Sequence, residues 1–446
     1  MLVTKIATAL FLGCSLTIAQ LIGPVGPTTS PSAKRAHICN VLKYGGKIDS
    51  LDIGPAIGSA FANCVLKTPG STLYVPPGNY DMVTWQTLTG GTTWAFQMDG
   101  FITRTGNSTG HMIIIQNSAD FEIYSSTSAG GFQGHGYLIR DNGPRFLRVV
   151  SSTNWSVHDL IFVDSPEFHI VVDQGSNGEL YNLAIRGADM GGSDGIDISG
   201  SNHWVHDVEV TNRDECVTVK SPANHFLIEQ IWCNQSGGSA IGSLSRNAAV
   251  QNIVYRNIYT NGGNQMMMIK SNGGSGFVRN VLFQNFLGRG TKYCLNVDQY
   301  WSGQTAGTGA GVSLMNITFE NWDGANVYGL LTNATVQRSP IQFLCASGAP
   351  CTGINLDNVN LWCETGTATN VCENAFGDGS CLQSGDVLPY SPVTMTISQP
   401  PAFTTPPSLP GDLDSGFPLT AAIPVPTIPS TFFPGLPQIS PLARLQ

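Results

Sequence analysis

NWSVHDLIFVD from Asn154, NGELYNLAIRG from Asn177, NHWVHDVEVTN from Asn202 and NHFLIEQIWCN from Asn224 are four renderings of one phrase. Each opens on Asn, carries a second Asn, Asp or Gln-containing break a few residues on, and alternates apolar with polar positions in between. The phrase returns as QNIVYRNIYTN from Gln251, VRNVLFQNFLG from Val278, MNITFENWDG from Met315 and INLDNVNLWCE from Ile354. Up to Met315, successive copies start roughly 22 to 37 residues apart, the period of a stacked repeat. Period-2 alternation of Val, Ile and aromatics marks short strands, and Gly and Asn mark the joins. A coil that long holds several short strands, and stacking pairs each strand with its equivalent above and below. The expectation is an all-β, single-stranded parallel β-helix over residues 20–385. A sandwich or propeller would also use many short strands, but neither needs repeated Asn-bearing turns.

Outward from the repeat, the open first coil needs a cover. DSLDIGPAIGSAFANCVLK from Asp49 places Ile53, Ile57 and Phe61 at helical spacing, with Pro55 suited to a first turn, and predicts a short capping helix. GSTLYVPPGNY, from Gly70 to Tyr80, reads as the first strand and turn. Past residue 385 the repeat fades into a Pro-, Thr- and Ser-rich tail, 386–446, where Pro density opposes helix and internal strand. Phe432, Phe433 and Leu436 suggest that part of it packs on the body.

Residues 1–19 read as a secretory signal peptide, with Lys5, the apolar run Ile6 to Ile18 and a small residue, Ala19, at its end. No later segment has about 18 unbroken apolar residues, so no membrane span is expected. Removing the leader removes Cys14 and leaves ten cysteines for an oxidising, extracellular compartment. Cys345 with Cys351 and Cys372 with Cys381 suit local staples, and Cys39 with Cys64 and Cys216 with Cys233 close longer loops. Cys294 and Cys363 remain as a fifth bridge or two buried thiols. Asn107, Asn154, Asn234, Asn316 and Asn333 begin glycosylation sequons. With 11% charged residues, a net charge of -9 and no basic run, nucleic-acid binding has little support. No Cys or His spacing suggests a metal site, and neither cofactor nor obligate partner chain is expected, so the chain reads as a monomer.

The chemistry sits in two acidic groups about one coil apart: GGSDGIDISG (Gly191 to Gly200) and NRDECVTVK (Asn212 to Lys220). Stacking at about 4.8 Å per coil should bring them together. Val217 and Val219 want the interior, so Thr218, Lys220 and Asp214 take the outward parity, as does Asp197 between Ile196 and Ile198. Asp194 and Glu215 share the inward parity and reach solvent only from a turn or bulge. Crowded carboxylates drive one another's pKa values apart, which supplies the protonated acid and the ionised partner that glycoside hydrolysis requires. Structural Asp caps would explain any one of these acids, but not four converging.

These segments resemble glycoside hydrolase family 28, which contains polygalacturonases and rhamnogalacturonases, and the resemblance extends over nearly the whole mature chain. SDGIDI resembles the family's Asn-Thr-Asp-Gly-Phe-Asp segment, and NRDEC its Asn-Gln-Asp-Asp-Cys segment. The resemblance implies a right-handed, pectin-lyase-like solenoid. It also implies Asp214 as general acid, Asp194 and Glu215 activating the water of an inverting attack, and Asp197 in support. Polygalacturonases carry Gly-His-Gly where this chain has SGGSAIGSL (Ser236 to Leu244), and Arg-Ile-Lys where it has Met268-Ile269-Lys270. Losing Arg removes a bidentate carboxylate clamp, and Met268 suits the methyl of a deoxysugar. With DECVTVKSPAN and IKSNGGSG, these departures are similar to the family's fungal rhamnogalacturonan hydrolases. The resemblance therefore implies endo-cleavage of the α-1,2 galacturonosyl-rhamnose bond of rhamnogalacturonan I, a pectic polysaccharide. Lys220, Lys270, Met268, Tyr293 and Arg213 are the expected substrate contacts. A polygalacturonase and a non-catalytic carbohydrate-binding β-helix are the competing readings.

Overall fold

The computed structural model describes residues 21–49, 51–140, 142–301, 311–327, 338–385, 393–398, 400 and 403–440. The leader with Cys14, the sequon at Asn333 and parts of the tail lie outside them. The described chain is a parallel β-helix, one continuous stack of strands paired in parallel up to an antiparallel last strand. Each full coil contributes to three faces. Strand Ile196–Thr211 shows how, since its first residues pair with Ile170–Asp173 and Val217–Asn234 on one face, and its later residues pair with Ser176–Arg186 on the other two.

The second and third faces meet at corners made by the repeated Asn and Asp. Asn154 and Asp159, Asn177 and Asn182, Asn202 and Asp207, and Asn280 and Asn285 all adopt positive φ, five residues apart in each coil. Asn and Asp tolerate this left-handed backbone best among residues with a side chain. Their amides then bond along the stack: Asn177 donates to Asn154 at 2.8 Å, Asn202 to Asn177 at 2.8 Å, Asn285 to Asn257 at 2.6 Å and Asn316 to Asn280 at 2.8 Å. Inside, equivalent residues stack on one another. Trp94 lies 5.5 Å from Phe121, Tyr255 5.4 Å from Phe283, and Phe283 5.1 Å from Phe319.

The coil begins earlier than the phrase suggests. The first strand is His37–Asn40, paired with Ser71–Val75, so Gly70 to Tyr80 supplies the second strand and the start of the third. The first coil hides from a periodic reading because the helix Gly54–Asn63 interrupts it. That helix buries Ile57 and Phe61, and Phe61 meets Trp94 edge-on at 5.0 Å. At the other end the tail contributes strand Val393–Ile397, antiparallel to Ala368–Glu373. Its sequence, VTMTI, lacks the Pro that rules out strand elsewhere in the tail. Disulfides join Cys39 to Cys64, Cys216 to Cys233, Cys345 to Cys351 and Cys372 to Cys381, while Cys294 and Cys363 are buried.

Two of the three faces are covered from outside. Ile22 and Gly26 donate to Asn202 and Asn177, and Val25 packs with Trp204, Leu227 and Val254. The tail lies over the next face, where Leu409 and Phe433 pack on Trp232 and Tyr259, and Ile423 packs on Ile161 and Val163. Ile439 N–H reaches Asp207 at 3.0 Å. Among the described residues, neither segment lies over the face formed by 145–150, 170–173, 196–198, 217–219, 239–244, 265–271 and 293–298.

Candidate active site

On that bare face, register fixes what lies beside what. Val171, Asp197, Thr218, Ala240, Met268 and Asn296 form one column, each pairing with the next. Asp194 and Glu215 precede the strands that begin at Ile196 and Val217, so both sit in turns. Their inward parity therefore ends in the turn, and both carboxyls join the outward Asp214 and Asp197. The turns are held tightly. Gly195 N–H donates to Glu215 O at 2.9 Å, and Asn212 Nδ2 donates to Ser193 O at 2.7 Å and Glu215 O at 3.1 Å. A side chain at Gly195 would meet the Cys216 carbonyl at 2.5 Å, and one at Gly237 would meet the Asp214 backbone at 2.6 Å. The Cys216–Cys233 bridge pins the second turn to the interior.

One oxygen from each of Asp194, Asp214 and Glu215 lies within 4.8 Å of the others. Asp194, Asp197 and Glu215 are buried, and Asp214 is half-buried at the mouth. Gly192 N–H donates to Asp214 Oδ2 at 2.5 Å, and Glu215 N–H to Asp214 Oδ1 at 2.9 Å. Lys270 Nζ pairs with the Glu215 carboxylate, and Lys220 Nζ with Asp197 at 3.3 Å.

Burial, then the Glu215 charge, push Asp214 up to about 6. Burial also raises Asp197 to about 6, although Lys220 opposes the rise. Asp194 is held well above the usual carboxylate range by burial and by the charges of Asp197 and Asp214. Burial and mutual repulsion thus favour protonated forms in this cluster, and each acid's proton depends on the charge of its neighbours. When Asp214 is protonated, one of the two charges repelling an ionised Asp194 disappears, so acid on Asp214 and charge on Asp194 support each other. Burial would lower Lys220, but Asp197, Asp194 and Glu215 outweigh it and hold the ammonium above its ordinary value.

Among the described residues, this trio and the group His37, Cys39 and Cys64 come close enough to share an ion. The second group is closed by its own disulfide. In the trio, the Lys270 ammonium already lies against Glu215, so a dication would meet a like charge there.

The other expected contacts divide. Lys220 and Lys270 join the acids. Met268 stands in the right column but is fully buried and offers no surface to a sugar methyl. Tyr293 begins a strand three steps beyond Asp214, about 14 Å along the stack, half-buried beneath the Arg338 guanidinium at 5.2 Å. Arg213 turns to Asp189 at 3.4 Å, away from the acids. Sequence reasoning missed Trp301, whose ring lies 5.0 Å from Lys270 Nζ. It stands beyond its strand in a long connection, where no periodic signal operates.

The sequons also divide. Asn107 and Asn316 are exposed and Asn154 is half-buried in the ladder. Asn234 is fully buried, with its amide bonded to Thr211 Oγ1 at 3.1 Å, so no glycan fits on it in the folded chain.

The model of glycosyl hydrolases family 28 matches residues 132–381. The chain is 50% identical over 442 residues to rhamnogalacturonase A of Aspergillus niger, covering 98% of this chain and 97% of that protein. It is 50% identical over 452 residues to rhamnogalacturonase B of Aspergillus niger, covering 99% of this chain and 79% of that one. Among solved structures, endo-xylogalacturonan hydrolase from Aspergillus tubingensis shares the fold with a TM-score of 0.67 at 21% identity, covering 78% of this chain and 99% of that one.

Proposed function

The chain belongs to glycosyl hydrolases family 28 and is a glycoside hydrolase, and from that premise we propose that it cleaves the galacturonosyl-rhamnose bond of rhamnogalacturonan by single-step inversion. The observation that carries the mechanism is the position of Asp214 at the mouth of a carboxylate trio whose oxygens lie within 4.8 Å, where burial and the Glu215 charge favour its protonated form. Asp214 donates its proton to the glycosidic oxygen as the bond to the anomeric carbon breaks. Asp194 and Glu215 take a proton from the water that attacks that carbon from the opposite face, so proton and charge balance across the step. Lys270 holds Glu215 in place, Lys220 holds Asp197, and both ammonium groups offset the field that a polyanionic substrate meets.

Inversion is argued from the family. Oxygens this close would also suit a retaining double displacement, which makes stereochemistry a sharp test. The substrate is argued from the two relatives, which are rhamnogalacturonases at half identity, and from the absence of His in Ser236 to Leu244 and of Arg at Met268. The apolar leader and the four disulfides among the described residues, a bond type that persists in oxidising compartments, support secretion. Separate incubation with rhamnogalacturonan and homogalacturonan tests the substrate: cleavage of the first is expected, and cleavage of homogalacturonan alone would overturn the reading.

A further inference from the structure

The bare face continues past the acids toward the N-terminal end, and its next two steps change chemistry. Backbone bonds from Leu147 N–H to His169 O and from His169 N–H to Asp194 O carry the stacking into the turns. They set Phe168 one strand from Asp194 and Arg145 one strand beyond Phe168. Arg148 shares that outer strand, in the column that runs through Val171 to Asp197. Phe168, Arg145 and Arg148 are all half-buried. The Arg145 guanidinium lies 4.6 Å over the Phe168 ring. Glu167 pairs with it at 2.5 Å, as Asp173 pairs with Arg148.

We propose that Phe168 and the Arg145–Arg148 pair form a two-part subsite, in which Phe168 takes the apolar face of a deoxysugar and the two guanidinium groups take the carboxylate of the uronate beyond it. The proposal rests on the rhamnogalacturonan reading above. A guanidinium has five donors in a planar fork, so pairing with one carboxylate leaves donors for a second. Glu167 and Asp173 fix the forks before ligand arrives, which lowers the ordering loss on binding. His111, paired with Arg145 on the next strand, completes the surround. Its burial and the two arginines keep it neutral, with its pKa lowered to about 4, so it adds no competing charge.

The order along the face is cleavage point, aromatic, cations, at about 4.8 Å per strand. A polymer alternating deoxysugar with uronate, cut at its galacturonosyl-rhamnose bond, presents the deoxysugar and then a uronate on the leaving-group side, so this order fits a chain whose leaving-group side runs toward the N-terminal end. A homopolymer of uronates would set a carboxylate against Phe168. The same face therefore helps to discriminate between the two pectic backbones.

The test is a kinetic series on rhamnogalacturonan oligosaccharides of increasing length with the wild type, Phe168→Ala, Phe168→Tyr, and the paired variants Arg145→Ala/Arg148→Ala and Arg145→Lys/Arg148→Lys. On the longest substrate the Ala pair should raise KM about tenfold, equivalent to about 1.4 kcal/mol, with kcat within about twofold. The Lys pair should fall between, and added salt should narrow its gap to the wild type. Phe168→Ala should raise KM similarly and Phe168→Tyr should restore it. All these losses should fade on oligosaccharides too short to reach the subsite. If the wild type cleaves the longest substrate and neither the Phe168→Ala nor the Arg variants change KM, the inference is overturned while the functional reading stands. A wild type inactive on every rhamnogalacturonan substrate would overturn the functional reading itself.

Discussion

The covered faces and the bare face are built from the same coils, yet they treat polar groups in opposite ways. On the covered side, Asn154, Asn177 and Asn202 satisfy one another along the stack, and the terminal segments bind what remains, as Ile22 and Ile439 do at Asn202 and Asp207. Those groups are neutral or matched, and their burial yields rigidity. On the bare face, Asp194 and Asp197 on one coil and Glu215 on the next are buried, with Lys220 against Asp197, Lys270 against Glu215 and the half-buried Asp214 beside them. Charge concentrated so closely stabilises nothing by itself. It holds a proton where an exposed carboxyl would have released it. The solenoid supplies a frame stiff enough to keep the acids together, and leaving that face uncovered lets a polymer reach them.

The contrast breaks most visibly at Asp214. Asp214→Asn should lower kcat by about 10²- to 10⁴-fold, the usual contribution of a general acid, without lowering the melting temperature, because it relieves crowding. Kinetics and a thermal melt on the same sample check both halves. Next in size is Lys270→Met, which leaves Glu215 buried without its cation. Removing one partner of a buried pair costs about 3–5 kcal/mol, read by denaturant unfolding, and activity should fall with it.

The ladder should respond in the opposite sense. Asn177→Ala places Ala at φ 56° and removes the amide between Asn154 and Asn202. It should lose about 1–3 kcal/mol of stability while kcat of the folded enzyme stays unchanged.

Asp197 sits at about 6 in the folded chain against an ordinary 3.8. Between those values the folded state keeps a proton that the unfolded chain has released. This contribution is fully present below about pH 4 and is lost as pH rises through about 6. Asp197→Asn should flatten that slope in melts across pH 4–7 by on the order of 1–3 kcal/mol. The rate should fall above about pH 6 as Asp214, also near 6, loses its proton.

Much of this was legible in the sequence because a solenoid turns period into proximity. The recurrence of Asn-bearing phrases foretells the stack, and the coil length between Asp194 and Glu215 foretells their meeting. Strand parity alone shows that those two acids need turns. What period cannot give is burial at a given column. Met268 has the outward parity of a cleft residue and is nevertheless covered. Asn234 satisfies a sequon but serves the stack, accepting from Asn261 at 3.0 Å. Trp301 lies outside the repeat altogether. Phe168 and Arg145 were within reach, since they hold the position of Asp194 one and two coils earlier.

If this trio of acids inverts a galacturonosyl-rhamnose bond, the first product carries the stereochemistry of that step. Proton NMR of rhamnogalacturonan during the first moments of cleavage tests it directly. The prediction is a new galacturonate reducing end that appears first as the β-anomer and equilibrates afterwards. A first product with the α-anomer, or a reducing end on rhamnose, would contradict it.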